Sequence, residues 1–342
     1  MRAMRRHGAG FSSRTAASCI FLCAPPAYSA MPFLPPFFFT QCAKKDKHGL
    51  IFSAKYDKVI SYFCGGDVLG YRDATKEEKL RFENAVQYVS TLERESLEFD
   101  SKHRRVIKRS SLEGASNIGG LSEGELHLCL KYFFEENRDF HEVYFDGYYA
   151  DILRGERAIE IQTRNFCSFR KKLAAVSEKI PVTVVHPIIK NKRLFWTDPD
   201  TGELRGGRTS PVHGDIYGTF RELVYIREII SRENLSFCFP VIECNEYKLL
   251  CGWDSKRKKG AVRYGLSPTA LLGFYEYDTA FAFASLLPKI DAEFLTVKDV
   301  SALIGKKGRE ASAFVNVLMY LDILCADGKA GRAIKYVYGE NY

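Results

Sequence analysis

The fold is decided by residues 148–162, which read Tyr148-Tyr-Ala-Asp-Ile-Leu-Arg154-Gly-Glu-Arg157-Ala-Ile-Glu-Ile-Gln162. Two strand-like runs are separated by Gly155-Glu156, and a two-residue loop that opens with glycine favours a type II′ β-turn. Such a turn sets the register of the hairpin. Pairing Arg154 with Arg157 predicts that Asp151 lies opposite Glu160, and the alternation of side chains along a strand puts Gln162 on the face of Glu160.

The predicted apposition of Asp151 and Glu160 indicates a metal site, because like charges at a cross-strand pair destabilise a sheet unless something offsets them. Mg²⁺ or Mn²⁺ suits this role, since such cations bind one or two carboxylates and share the remaining shell with water and phosphate. The alternative is that Arg154 and Arg157 neutralise an exposed hairpin. Against it, the opposite face of the hairpin is predicted to be apolar and packed; it consists of Ala150, Ile152, Ile159 and Ile161.

Length and composition limit the possible functions. A chain of 342 residues with 46% hydrophobic residues can bury two or three separate cores. Its net charge of +8 is concentrated in short basic clusters, which suit the phosphate backbone of a nucleic acid and alternatively form an ordinary solvated surface. These clusters are residues 102–105, 108–109, 170–172 and 256–259. No run beyond the N-terminal segment approaches a transmembrane length, so no membrane partner is expected.

The ten cysteines include no Cys-x-x-Cys pair and form no regular framework. Several lie in apolar runs, and we predict buried, reduced thiols at Cys129, Cys167, Cys238 and Cys325. Reduced thiols favour a cytoplasmic protein over a secreted one.

The first 45 residues contain no Asp or Glu and include an apolar run at 17–23, which is the outline of a signal peptide. Pro25-Pro26 interrupts the apolar stretch. Together with the cysteine pattern, this favours a disordered tail, or a start codon placed too far upstream, over export.

Capping signals and periodicity predict the elements of the first two thirds of the chain. Thr75-x-x-Glu78 forms a capping box before a helix with one apolar face, formed by Phe82, Ala85, Val86 and Val89. A Ser/Gly-rich linker, 110–120, leads to a helix that begins at Ser122. The elements predicted after it are strands at about 140–146, 148–154 and 157–163, a helix capped by Asn165, a buried strand at 181–186, strands near 194–197 and 237–242, and a helix at about 216–230.

The last fifty residues carry a different pattern. Apolar spacing predicts a short helix from Val297 to Ile304, a turn at Gly305-Lys-Lys-Gly308, and a second helix that includes Phe314. Two short strands ending at Tyr336-Val-Tyr338 follow. This order resembles a winged helix-turn-helix. We therefore predict three parts: a basic, partly disordered N-terminal extension with one helix (1–112), a core domain (113–255) and a winged-helix-like domain (266–342).

The order of helix, β-meander, helix and strand, with Asp151 on the second strand and Glu160-Ile-Gln162 on the third, resembles the PD-(D/E)XK, restriction-endonuclease-like nuclease superfamily. It is most similar to bacterial members whose motif ends in Glu-x-Gln, and it covers roughly residues 120–200. The resemblance implies an α/β (α+β) fold with a mixed sheet flanked by helices, and a metal-dependent phosphodiesterase core.

The resemblance also implies roles for individual residues. Asp151 and Glu160 would bind Mg²⁺, Gln162 would position the attacking water, and Glu125 would complete the site; alternatively, Ser122-x-x-Glu125 is a capping box. Gln162 stands where lysine is commoner in the family. Because a carboxamide carries no charge, either Arg164 or Lys171 would have to stabilise the transition state, or the site is slow.

We therefore expect a cytoplasmic, bacterial-type nuclease that hydrolyses DNA; the alternative is a catalytically weak or inactive DNA-binding or regulatory protein with the same fold. RNA is the alternative substrate, and a homodimer is a candidate assembly. The expected nucleic-acid contacts are Arg164, Arg170, Lys171, Lys306, Lys307 and Arg309. For the C-terminal module, protein docking or dimerisation is the alternative to DNA binding.

Overall fold

The computed structural model describes residues 70–91, 124–198, 201–250 and 260–342, and the backbone of two strands within 96–109. The N-terminal 45 residues, the Ser/Gly-rich linker and the basic cluster 256–259 lie outside the described residues, as do the side chains of clusters 102–105 and 108–109. The helices in these ranges are α1 (Lys76–Thr91), α2 (Glu125–Phe134), α3 (Phe166–Ser177), α4 (Ile216–Leu223), α5 (Val297–Leu303) and α6 (Arg309–Tyr320). The strands are β1 (Tyr71–Asp73), β2 (Ser96–Asp100), β3 (Arg105–Arg109), β4 (His141–Phe145), β5 (Tyr148–Arg154), β6 (Arg157–Ile161), β7 (Val182–Val185), β8 (Ile188–Thr197), β9 (Leu204–Thr209), β10 (Leu235–Leu249), β11 (Val262–Tyr277), β12 (Leu324–Ala330) and β13 (Ala333–Tyr338).

Nine strands of the described ranges form one mixed sheet in the order β1-β11-β10-β7-β6-β5-β4, with β8 beside β10 and β9 beside β8. The strands β6, β7, β10 and β8 run parallel, whereas β5 is antiparallel to β6 and β11 is antiparallel to β10. β10 changes neighbours along its length: Leu235–Cys238 pairs with β7, and Val241–Leu249 pairs with β8. The expected mixed sheet flanked by helices is confirmed, and the fold is α+β.

The β5–β6 hairpin has the predicted register. Its paired residues are Arg154 with Arg157, Leu153 with Ala158, and Ile152 with Ile159. Gly155 has a φ of 58°, which a type II′ turn requires at its first central position and which glycine adopts without a Cβ clash. The turn chemistry alone therefore determined how these two strands pair.

One expectation for the hairpin is wrong, because Ala150 does not share a face with the three isoleucines. Ala150 packs into the core cluster that contains α3, whereas Ile152 and Ile161 belong to the cluster that contains α1 and α2, with Ile159 packed against it. The change of face occurs at Asp151. There β5 lies opposite Glu142 of β4, whose φ of 49° is left-handed and interrupts the regular ladder.

Helices cover both faces of the sheet. On one face, α3, α4, α6 and the 3₁₀ segment Ala280–Leu286 bury a set of aromatic rings: Phe166, Phe220, Phe283 and Phe314. On the other face, α1 and α2 place Phe82 and Phe133 against Phe274 of β11. Within the described ranges, no helix combines the length and the apolar character needed to cross a membrane.

The elements before residue 112 belong to the fold rather than to a peripheral extension. The capping box is confirmed: Glu78 N donates to Thr75 Oγ1 at 3.2 Å, and Thr75 N donates to a carboxylate oxygen of Glu78 at 2.8 Å. β1 pairs with β11 at the edge of the main sheet, and α1 packs on α2. The β2–β3 hairpin was not predicted.

The C-terminal elements match the predicted order of helix, turn, helix and two strands. They share the core of the sheet, because the rings of Phe314 and Phe220 lie edge to face with centroids 4.7 Å apart. β11 is part of the main sheet, and residues 266–277, which the sequence analysis placed in the C-terminal domain, lie within it. The helix expected at 216–230 ends at Leu223 and continues as the 3₁₀ turn Val224–Ile226.

The predicted buried thiols are confirmed in part. Cys129 and Cys238 are buried, Cys325 is half-buried and Cys167 is exposed. On α3 the buried positions are taken by Phe166 and Phe169, so Cys167 points away from the core although its sequence neighbours are apolar.

Candidate active site

A cleft of about 1020 Å³ opens beside the β5–β6 hairpin, between α2, the beginning of α3 and β11. Its walls include four carboxylates: Glu125, Glu142, Asp151 and Glu160. Glu142, Asp151 and Glu160 come from the neighbouring strands β4, β5 and β6. The predicted register is observed from Arg154–Arg157 to Ile152–Ile159, and beyond these pairs Asp151 and Glu160 both line the cleft.

Asp151 is held as an ion by its surroundings. Its Oδ2 accepts a hydrogen bond from Ile161 N at 2.7 Å and lies 3.4 Å from His127 Nε2 on α2. Burial acts to raise the pKa of this carboxyl, but the hydrogen bond and charge of His127, the charge of Lys172 and the Ile161 amide together lower it below its usual value.

The pKa of Glu160 shifts in the opposite direction to that of Asp151. The residue is 2% exposed, and its Oε2 lies 2.5 Å from Nζ of Lys172 on α3. Burial and the nearby charge of Asp151 raise the pKa of Glu160 to about 8, although Lys172 opposes the shift. Its Oε1 is buried and has no hydrogen-bond partner among the described residues. Two neighbouring carboxylates therefore differ in protonation near neutral pH, and one buried oxygen remains available to a ligand.

Glu142 forms a third contact between an acidic and a basic side chain along the sheet. Lys131 of α2 is 2% exposed and donates to Glu142 Oε1. A buried lysine requires such a partner, because an uncompensated charge in the core is costly. His127 and Lys131 lie one helical turn apart, so a single face of α2 supplies the partners of both Asp151 and Glu142.

Gln162 follows the last residue of β6 and lines the cleft. The side-chain nitrogen Nε2 of Gln162 donates to the backbone carbonyl oxygen of Arg164. The backbone carbonyl oxygen of Gln162 lies 2.5 Å from Nδ1 of His186. His186 is buried, and burial lowers its pKa even though the bond to Gln162 opposes the shift. A neutral imidazole therefore fixes the backbone at Gln162. The role of His186 at this position is structural, since its ring is buried and contacts the backbone.

Glu125 lies in the cleft wall, where its Oε2 accepts a hydrogen bond from Ser267 Oγ of β11. The helix α2 begins at Glu125 itself, with Gly124 as its N-cap and no side-chain capping bond. The capping-box alternative involves Ser122, which lies outside the described residues. Glu125 remains available to the site by position, with its carboxylate directed to β11.

The positive charge beside Glu160 comes from Lys172, not from Lys171, which is exposed. Arg170 forms a surface ion pair with Glu228 at 2.9 Å, whereas Arg164 is exposed at the edge of the cleft. The spacing of residues along α3 could have identified Lys172, rather than Lys171, from the sequence. Lys172 stands three residues after Phe169 and four before Val176, both of which face the core, and Lys171 does not share that face.

The basic residues of the C-terminal helices occupy different environments. Lys306 donates to Asp215, the N-cap residue of α4, so it ties the α5–α6 turn to the core. Lys307 and Arg309 are exposed. Of the three predicted DNA contacts in this turn, Lys306 is thus already engaged within the protein.

The described residues contain no group of three or more His, Cys, Asp or Glu side chains arranged to hold a metal ion. Two carboxylates with water and phosphate suffice for Mg²⁺, which seldom uses an all-protein cage. The buried Oε1 of Glu160 and the ionised Asp151 fit a hard divalent cation in oxygen donors and in charge.

A family model described as a domain of unknown function, DUF8091, matches residues 124–277. The match begins at α2 and ends with β11, so it contains the cleft and the hairpin but not the C-terminal helices. An uncharacterized protein of Treponema pallidum (strain Nichols) is 27% identical over 148 residues, which is 43% of this chain and 56% of that protein. The matched region thus spans little more than half the length of this relative. No solved structure matches the chain significantly.

Proposed function

We propose that this chain is a nuclease-fold protein that hydrolyses phosphodiester bonds of DNA with Mg²⁺ or Mn²⁺ bound by Asp151 and Glu160. One observation carries the proposal: two carboxylates on adjacent strands share a cleft, one ionised and one with a raised pKa and an unpartnered buried oxygen. Perturbed acids in a cleft are characteristic of functional sites. The order α2, β4–β6, α3, β7 supports the resemblance to the PD-(D/E)XK superfamily.

The residues of the cleft have complementary chemical roles in this proposal. A bound cation would neutralise phosphate charge and make a water molecule a better nucleophile. Lys172 would supply the positive charge that Gln162 lacks, because its ammonium group already lies beside Glu160. Gln162 would orient water through its carbonyl oxygen, and Arg164 would contact the phosphate backbone.

The C-terminal elements α5, α6, β12 and β13 have the order of a winged helix, and we propose that they contribute to DNA binding through Lys307 and Arg309. α6 itself is packed against the core by Phe314, so contact with DNA would come from the turn before it and from the strands.

A second candidate function is DNA binding without efficient hydrolysis. Three carboxylates of the cleft already have a basic partner: Glu142 with Lys131, Asp151 with His127, and Glu160 with Lys172. A cation would have to compete with these basic partners. A site that keeps its internal pairs would bind nucleic acid but hydrolyse it slowly.

Cleavage of plasmid, linear and branched DNA with Mg²⁺ or Mn²⁺ tests the proposal. Wild type should cleave, and Glu160→Gln should not, while both bind DNA equally in EDTA. Glu228→Gln is the matched control, since Glu228 is an exposed carboxylate that pairs with Arg170 away from the cleft. Binding by wild type without metal-dependent cleavage of any of these substrates would favour the second candidate.

A further inference from the structure

A ribbon of the main sheet continues from the cleft and carries aromatic and basic side chains. It consists of β8, β9, the second part of β10 and the beginning of β11. The ribbon begins where β10 leaves β7 for β8, at Val241. Arg263, Tyr264 and Gly265 of β11 belong both to this ribbon and to the cleft wall, so the two surfaces are continuous.

Three aromatic rings form a row across the ribbon. The rings of Phe195 on β8 and Tyr247 on β10 are stacked, with centroids 5.4 Å apart and planes at 24°. Tyr264 on β11 lies 6.1 Å from Tyr247. The hydroxyl groups of Tyr264 and Thr197 are 2.7 Å apart, which holds the last ring against β8 at the cleft. The row thus leads away from the cleft wall, one strand at a time.

An arginine side chain stands at the end of this row that lies away from the cleft. The guanidinium group of Arg193 lies 5.9 Å from the ring centre of Phe195 and donates from Nε to the carbonyl oxygen of Gly207 at 3.3 Å. Arg193 is exposed, whereas the three rings are half-buried. Exposed charge around partly open rings is the surface that single-stranded nucleic acids bind, with bases on the rings and phosphates at the arginine.

We propose that Phe195, Tyr247, Tyr264 and Arg193 form a platform for single-stranded nucleic acid that leads the strand into the cleft. The proposal rests on the proposed function and names its substrate form. Unpaired bases can pack on the rings, but the bases of a duplex are stacked inside the helix and cannot. Continuity of the row with the cleft determines the direction, from Arg193 toward Asp151 and Glu160.

Trp196 provides a matched control on the same strand. Adjacent residues of a strand face opposite sides of a sheet, so Trp196 lies on the side away from Phe195. It also has an arginine over its ring, since Arg208 lies 5.5 Å from the ring centre. If the rings and arginines serve only the stability of the ribbon, the two pairs should behave alike.

Binding of fluorescent oligo(dT), oligo(rU) and a DNA duplex is measured by anisotropy in EDTA, which prevents cleavage. Phe195→Leu should weaken binding to both single strands by about tenfold and leave duplex binding unchanged, whereas Trp196→Leu should leave all three unchanged. Arg193→Gln should lower the salt slope for single strands by about 0.7, and Arg208→Gln should not. Thermal melts of the four variants verify folding.

Equal effects of Phe195→Leu and Trp196→Leu, or an equal loss of duplex binding, would overturn the platform. A response to oligo(dT) alone, or to oligo(rU) alone, would support it and identify the substrate as DNA or RNA. The result is separable from the catalytic proposal. If Phe195→Leu binds as wild type does, while Glu160→Gln still abolishes Mg²⁺-dependent cleavage, the platform is overturned and the nuclease proposal stands. If Phe195→Leu weakens binding to single strands, while wild type does not cleave, the platform stands and the nuclease proposal is overturned.

Discussion

The β5–β6 hairpin and the α5–α6 turn both carry closely spaced charges, and the structure uses them in opposite ways. The hairpin directs Asp151 and Glu160 into a cleft and leaves one buried oxygen without a partner. In the turn, Lys306 donates to Asp215 at the start of α4, while Lys307 remains exposed. Charges that look equivalent in sequence therefore become a candidate site or a structural tie, depending on what the fold places opposite them.

The largest expected effect concerns the attachment of the C-terminal helices. Phe314→Ala should lower the free energy of unfolding by about 3–5 kcal/mol, because this ring is fully buried against Phe220. Urea denaturation followed by circular dichroism measures the loss. Ser312→Ala, an exposed position on the same helix, should change stability little. Two separate transitions in wild type would show instead that the C-terminal region unfolds as its own domain.

The next prediction concerns the pH dependence of the cleft. The pKa of Glu160 is raised to about 8 in the fold, above its ordinary value of 4.5, so the folded state binds an extra proton between these two values. Stability from this group is complete below about pH 4.5 and is lost as pH rises toward about 8, at ~1.4 kcal/mol per unit of pKa difference. The pKa of Asp151 is lowered in the fold, so the stability that this group contributes is present near neutral pH and is lost in acid.

The free energy of unfolding, measured from pH 5 to pH 8.5 for wild type and Glu160→Gln, isolates the glutamate. The difference between the two proteins should shift in favour of the variant as pH rises, since glutamine cannot ionise. Contributions of His141 and His186, whose pKa values are lowered by burial, cancel in this difference. A difference that is constant over the whole range would show that Glu160 is already ionised at low pH.

Substitutions of the adjacent Lys171 and Lys172 test which positive charge acts at the site. Lys172→Met should reduce any metal-dependent cleavage by about a hundredfold, the typical effect of removing one charge-stabilising group. Lys171→Met should have no effect, because that side chain is exposed on α3 and makes no contact with Glu160. Turnover of a labelled DNA substrate measures both. Equal losses would mean that the helix contributes general positive charge rather than one positioned ammonium group.

The smallest effect separates the lysines of the α5–α6 turn. Lys306→Gln should lower stability by at most ~1 kcal/mol, since its ion pair with Asp215 is partly exposed to solvent, and should leave the salt slope of DNA binding unchanged. Lys307→Gln and Arg309→Gln should leave stability unchanged and each reduce the salt slope by about one unit. If neither lowers the slope, protein docking becomes the better interpretation of this module.

Local chemistry determined the hairpin and the start of α1. A glycine turn sets the pairing of Arg154 with Arg157, and the reciprocal hydrogen bonds of Thr75 and Glu78 begin α1, because both effects act within a few residues. The hairpin places Asp151 and Glu160 on adjacent strands, and both side chains line the same cleft. Those parts of the fold and of the candidate site were predictable from sequence.

Only the tertiary structure decided which groups stand opposite those acids. His127, Lys131 and Lys172 contact these acids and Glu142 from two helices that pack on different faces of the sheet. Nothing in their sequence spacing relates them to β4–β6. The same is true of Lys306 and Asp215, which are 91 residues apart. Pairs of this kind form where packed elements meet, so their identity depends on the whole fold rather than on local propensity.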